Sequence, residues 1–569
     1  MILVTEIISQ TWFVRYVNNK KYVILQVILP IKTKMKNKTI INTLILAAIV
    51  LSALFLRLYK INYIPAGLYP DETVNGTDAI LANDTGNYEW FYTNNYGREG
   101  LFMNLISFSI RIFGNTILGL KIWSIIFGTL TVLGVFLLAK ELFKNSWRAG
   151  IVASYFTAFS FWSINFSRIS FRANMLPFIL VFSFYFLFRG IRTKKFHDFI
   201  LSGLIFGIGL HTYIAFRLAP AIPIVLLAAL VMTKKSFFKE HWKFIMVFLV
   251  SFLITASPML IDFWKHPDHF SSRTGAVSIF SPEINKGHPI KLFVKTLGLS
   301  LAKYNFWGDQ NWRHNYPPYP ILQPAVGVSF LIGFLYLIVK TIELLFLRFR
   351  DKIRDEKLHI YIFLLSWFFV MLAPEFLTEE GLPHALRSIG TLPAVFIISA
   401  IPVLWIFWKI EKMGYQAKIV TLSILTIAFV SIPIFETTKY FFFWAKNPNQ
   451  HGQFDERYKN IAIYFNNLPD GVNKYVFANG HGREMEDGFA VSAHVVKYLT
   501  HDKAKNLTFL KKGTDAVLKK PMVFIPMDYE QNMIDNLKKI YPSATINKVD
   551  LNPGFNSDFT VISINKISN

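Results

Sequence analysis

Apolar positions along this chain gather into runs of about twenty residues, and short stretches rich in Lys and Arg separate them. One early run, "IINTLILAAIVLSALFLRLYKI", is long enough to cross a bilayer as a helix. About eleven such spans are predicted, at roughly 40–60, 121–140, 149–166, 173–190, 199–213, 217–233, 243–263, 323–346, 358–374, 386–408 and 416–435. The basic residues then fall on alternate loops. "KTKMKNK" precedes the first span; Lys140, Lys144 and Arg148 follow the second; Arg189, Arg192, Lys194 and Lys195 follow the fourth. The same side receives Lys234, Lys235 and Lys239, then Arg348, Arg350 and Lys352, then Lys409, Lys412 and Lys418. Basic loops stay in the cytoplasm, so an odd number of spans puts the C-terminus outside.

Three large pieces are thereby assigned to the outer face: loop 61–120, loop 264–322 and the tail 437–569. In the first loop, "REGLFMNLISFSIRIFG" is apolar at helical spacing and reads as a helix lying along the interface. The tail alternates amphipathic helices ("DERYKNIAIYFNNL", "EQNMIDNLKKIY") with short strands ("KYVFA", "PMVFIPM", "FTVISI"). That alternation predicts a small extracytoplasmic α/β domain with a largely parallel sheet. After its first strand, "NGHGREMEDG" lacks the G-x-G-x-x-G spacing of a phosphate loop and reads as a tight turn. The segment 1–38 stands apart from the membrane domain, 39–436. Residues 1–34 have mixed polarity and no signal-peptide cleavage pattern; they read as an interfacial segment or as sequence ahead of a start at Met35.

Composition agrees with the pattern. The chain is 53% hydrophobic and 17% charged, less charge than soluble proteins carry. The net charge of +24 sits largely in loops between spans, so it speaks for membrane topology and against nucleic acid. There is no cysteine, which excludes disulfides, thiolate nucleophiles and Cys-ligated metals.

Charges beside a membrane are costly unless paired, hydrated or used, so the outer ends of the spans hold the candidate chemistry. "LYPDETVNGTDAI" places Asp71 and Glu72 there, in a loop. "NFSRISFRANMLP" adds Arg168 and Arg172; "GLHTYIAFRLAP" adds His211, Tyr213 and Arg217. "GDQNWRHNYPPYP" contributes Asp309, Arg313 and His314, and "TEEGLPHALRSIGTLP" contributes His384 and Arg387. "DFWKHPDHF" offers Asp262, His266, Asp268 and His269, but Pro267 interrupts them and ordinary loop chemistry is favoured, so no metal or other cofactor is expected. Outer carboxylates with outer arginines suit a lipid-linked phosphate. The guanidiniums would hold the phosphate, a carboxylate would take the acceptor proton, and the phosphate would leave without strong acid help. A transporter or flippase of lipid-linked glycans is the alternative, but such proteins place ionisable groups mid-span, and these spans are nearly free of them.

"LYPDE" and "SRISFRANMLPFILVFSFYFLFR", with "GDQNWRHNYPPYPILQPAVGVSFLIGF" and "HALRSIGTLPAVFIISAI", resemble the polyprenol-phosphate-sugar-dependent transferases, the protein O-mannosyltransferase and aminoarabinose-transferase group. The likeness runs over roughly 40–440. It implies the GT-C fold and an inverting glycosyltransferase with a polyprenyl-phosphate sugar donor. The acceptor would be a hydroxyl on a lipid, glycan or protein. The resemblance also makes Asp71 the catalytic acidic residue, with Glu72 beside it. The phosphate would be held by Arg168, Arg172, Arg217 and Arg387. Arg98, Glu99, His211, Tyr213, Asp309, Arg313, His314 and His384 would bind substrate. "NYGREGLFMN" departs from the mannosyltransferases, replacing their second acidic and His-Pro-Pro element with Arg98 and Glu99, which leaves the acceptor open and argues against a protein mannosyltransferase outright.

Overall fold

The computed structural model describes residues 31–271, 278–511 and 518–564. Most of residues 1–34 lie outside that range. Among the described residues, nine helices are long and apolar enough to cross a membrane: Thr39–Leu58, Ile117–Leu142, Arg172–Thr193, Ile214–Thr233, Phe237–Lys265, Pro324–Arg350, Leu358–Phe376, Ile389–Ile410 and Tyr415–Trp444. The other two expected spans are present in broken form. The run 149–166 is split at Ser160 into helices Trp147–Phe159 and Phe161–Ser167. The break is satisfied by a side chain: Glu436 Oε2 accepts from Phe161 N at 2.7 Å. The run 199–213 forms Phe196–Ile208 and then tightens into a 3₁₀ turn, Gly209–His211. A side chain at Gly209 would meet the Phe216 ring at 2.1 Å, so the close packing there requires glycine.

Four helices at the start of the described chain frame the candidate chemistry, two of them spans named above. The first described helix, α1 (Ile31–Leu58), leads into α2 (Pro70–Thr85). After a short hairpin of β1 (Phe91–Tyr92) and β2 (Arg98–Glu99) comes α3 (Leu101–Phe113), followed by α4 (Ile117–Leu142). The carboxylate pair therefore does not lie in an extended loop. Pro70 occupies the first helical position of α2, where its missing N–H costs nothing. Asp71 and Glu72 follow in the first turn, where the helix dipole favours negative charge.

The C-terminal region carries a five-stranded sheet of β3 (Asn473–Phe477), β4 (Leu507–Leu510), β5 (Met522–Pro526), β6 (Thr545–Val549) and β7 (Phe559–Ile564), in the order β4-β3-β5-β7-β6. Only β4, β3 and β5 are parallel; β7 and β6 add antiparallel. The expectation of a largely parallel sheet thus holds for one half. The polar edge strand β6, "TINKV", gave no strand pattern in sequence.

This region shares a hydrophobic core with the first loop. Leu68, Phe102, Met103 and Leu120 pack in one cluster with Tyr458, Ile461, Val496 and Val561. Gly76 of α2 permits the contact, because a methyl group there would lie 2.5 Å from the Tyr498 ring. Tyr498 OH donates to Thr116 O at 2.9 Å, and Thr77 Oγ1 meets His494 Nδ1 at 2.8 Å.

Candidate active site

Asp71 and Glu72 are neighbours on α2 with opposite fates, because successive helical residues point about 100° apart. Asp71 faces a cavity of about 940 Å³ and receives Asn95 Nδ2 on Oδ1 at 2.7 Å, which fixes the carboxylate. Glu72 is fully buried. Its Oε1 accepts from Tyr69 N at 2.9 Å and lies 3.2 Å from Lys121 Nζ; its Oε2 accepts from Ser170 N at 2.7 Å. Glu72 therefore ties the start of α2 to α4 and the segment at Ser170, and it does not reach the cavity.

The same cavity is lined by Arg98, Arg172, Arg217, Arg387 and Arg483, with Tyr213, Asp309, His314 and His384. The arginines are held in defined positions. Glu99, itself buried, takes Arg172 Nε on Oε2 at 2.9 Å and Arg217 Nη2 on Oε1 at 3.2 Å. Burial raises the Glu99 carboxyl, but the two guanidiniums outweigh it and keep the group below the usual carboxylate range. One carboxylate thus orders two cations, and one positive charge is left over at the cavity wall. Arg98 is buried against Asp78 and donates to Asn75 Oδ1 at 2.6 Å; burial lowers its affinity for the proton, and Asp78 opposes that. Arg387 is fastened to Thr378 Oγ1, Glu380 O and Glu380 Oε2, each at 2.7 Å. Tyr69 borders Asp71, and burial together with that carboxylate pushes its phenol well above its ordinary range.

The remaining expected residues sit elsewhere. Arg168 is fully buried and donates to Leu56 O and Arg57 O at 2.8 Å and to Ile64 O at 2.7 Å, so it pins the chain after α1 and does not touch the cavity. His211 is buried with Nε2 on Thr255 O at 2.8 Å. Arg313 lies over the Tyr69 ring and donates to Gln453 O at 2.7 Å. Glu99 stands behind Arg172 and Arg217, orienting them. Sequence reasoning missed Asn75, Asn95 and Tyr96, polar residues of the first loop with no charge to mark them. It also missed Arg483, which comes from the segment read as a tight turn and lies 3.9 Å above the Tyr96 ring.

Charge separates this cavity from two others. A groove of about 670 Å³ along Tyr415–Trp444 is almost wholly apolar, and its cation, Lys439, is 3.6 Å from Glu436. A cleft of about 1160 Å³ is rich in acidic residues, among them Asp78, Asp84, Glu89 and Asp487. Of the three, only the arginine-lined cavity combines several fixed cations with a carboxylate open to the space.

Residues 101–261 match the family model described as dolichyl-phosphate-mannose-protein mannosyltransferase. No curated protein sequence matches the chain. Among solved structures, the chain is similar to ArnT from Cupriavidus metallidurans bound to undecaprenyl phosphate, at 11% identity and a TM-score of 0.50, covering 93% of this chain and 99% of that one. It is equally similar to the apo form of ArnT, at 10% identity and a TM-score of 0.50, covering 92% and 98%. With a segment that matches the mannosyltransferase family model and an ArnT-like arrangement of helices over nearly its whole length, the chain is a multi-pass membrane protein of the GT-C fold.

Proposed function

We propose that this protein transfers a sugar from a polyprenyl-phosphate donor to a hydroxyl on a lipid, glycan or protein, with inversion, on the extracytoplasmic face of the cell membrane. The observation that carries the proposal is the shared cavity: Asp71 faces the same space as the Arg172–Glu99–Arg217 cluster. The Asp71 carboxylate takes the acceptor proton as the acceptor oxygen forms a bond to the anomeric carbon. The bond from that carbon to the phosphate oxygen breaks on the opposite face, and its electron pair stays on the polyprenyl phosphate. Charge therefore grows on the phosphate, where Arg172 and Arg217 are fixed in advance by Glu99 and need little reorganisation. Arg387 and Arg98 line the same cavity and complete the clamp. The structural likeness to ArnT with undecaprenyl phosphate supports a polyprenyl carrier. The one-sided distribution of Lys and Arg supports the outward orientation.

Membranes containing the protein, incubated with labelled polyprenyl-phosphate sugars, should release polyprenyl phosphate and move label to an acceptor. A failure of every such donor to yield labelled product, with purified acceptor fractions present, contradicts the proposal.

A further inference from the structure

Three chemistry-bearing residues of the cavity have no part in the scheme above. Asp309 and His314 come from the segment before Pro324–Arg350, and His384 from the segment before Ile389–Ile410. Each offers a potential ligand atom, and these atoms lie within 4.8 Å of one another. We propose that they form a binding site for a divalent transition-metal ion such as Zn²⁺, with the two imidazoles as direct ligands.

The hydrogen bonds prepare the site in a specific way. Asp309 Oδ2 lies 3.0 Å from His314 Nδ1 and accepts from Ala385 N at 2.7 Å, while Oδ1 accepts from Asn311 N at 2.8 Å. One carboxylate therefore fastens both histidine-bearing segments together. Its bond to Nδ1 keeps the His314 proton there and leaves the lone pair on Nε2. That Nε2 is buried and has no hydrogen-bond partner among the described residues. An unsatisfied buried imidazole nitrogen is destabilising unless something occupies it. A carboxylate behind the ring and an open nitrogen in front is the arrangement by which proteins orient a metal-binding histidine. The His384 ring lies 4.7 Å from the His314 ring, tilted by 41°, and its backbone N is anchored on Glu375 Oε1 at 3.0 Å. Imidazole ligands suit Zn²⁺ and its neighbours better than Mg²⁺ or Ca²⁺, which take oxygen. The cluster lines the cavity that holds Asp71. A role in gripping a donor phosphate oxygen rests on the function proposed above; binding of the ion does not.

The test uses the full-length protein in detergent, stripped of metal with a chelator and then titrated with Zn²⁺ alone. Wild type should retain about one Zn²⁺ per chain after desalting. H384Q and H314Q should each weaken binding at least about tenfold, and D309N, acting through His314, about ten- to a hundredfold. H266Q alters a histidine outside the cluster and should leave binding unchanged. Melting temperature without metal shows whether each variant is folded, and H384Q changes the less buried imidazole. No Zn²⁺ on wild type, or undiminished binding by folded H384Q, overturns the site. Binding with no effect on transfer would leave the ion structural; transfer failing while the site still binds would count against the function alone.

Discussion

Arg168 and Arg172 are four residues apart and look equivalent in sequence, yet the structure gives them different work, and substituting each separates the two roles. Arg172 lines the cavity and shares Glu99 with Arg217. Arg172→Gln removes one charge-assisted contact to a bound phosphate, worth about 1.5–3 kcal/mol, or about ten- to a hundredfold in affinity. The fold should suffer little, because Arg217 still pairs with Glu99 at 3.2 Å. Arg172→Lys keeps the charge but loses the planar fork, and should fall between the two. Arg168→Gln should do the reverse. Its guanidinium satisfies three carbonyls in a fully buried setting, and orphaning them at about 1–3 kcal/mol each removes several kcal/mol of stability. The assay is binding of undecaprenyl phosphate to purified protein in detergent, with the melting temperature recorded on the same samples. Unchanged affinity in Arg172→Gln, with a direct loss in a folded Arg168→Gln, would refute the placement of the phosphate.

Two further outcomes follow from buried groups. Glu72→Gln strands Lys121 without its counter-charge, and breaking a buried pair costs about 3–5 kcal/mol, so the melting temperature should drop while donor affinity of the folded fraction stays level. Burial raises the Asp455 carboxyl from 3.8 to about 7, so the folded state favours its neutral form. That contribution is fully present below pH 3.8 and is lost as pH rises through about 7. Asp455→Asn cannot ionise, so its unfolding free energy should pull ahead of wild type between about pH 4 and 7, then hold a constant lead of a few kcal/mol, read from denaturant melts at each pH; a gap independent of pH would contradict this.

The membrane part of the fold was legible because span length and loop charge are imposed by the bilayer and act on each segment alone. The spans at 149–166 and 199–213 show where that reasoning thins: the apolar run continues, but the helix breaks at Ser160, where Glu436, distant in sequence, accepts from Phe161 N, and tightens at Gly209, which packs on the Phe216 ring. Asp71, Arg172, Arg217 and Arg387 were legible as charges at span ends. Their division from Glu72 and Arg168 was not, since it depends on which face of a helix turn meets the cavity. Arg483 was hidden because its segment reaches the cavity only through the packing of the C-terminal region on α2 and Thr116, a contact without local signature. The antiparallel half of the sheet escaped for a similar reason: β6 is an edge strand whose polar residues follow no alternation.

The central claim is that Asp71 is the base of a glycosyl transfer, and its most direct test is transfer by Asp71→Asn from a labelled polyprenyl-phosphate sugar, measured beside binding of undecaprenyl phosphate. The amide keeps the shape and can still meet Asn95, but it has no basicity. Turnover should fall by about a hundredfold or more with lipid-phosphate affinity largely intact. Near-normal transfer by folded Asp71→Asn would contradict the account.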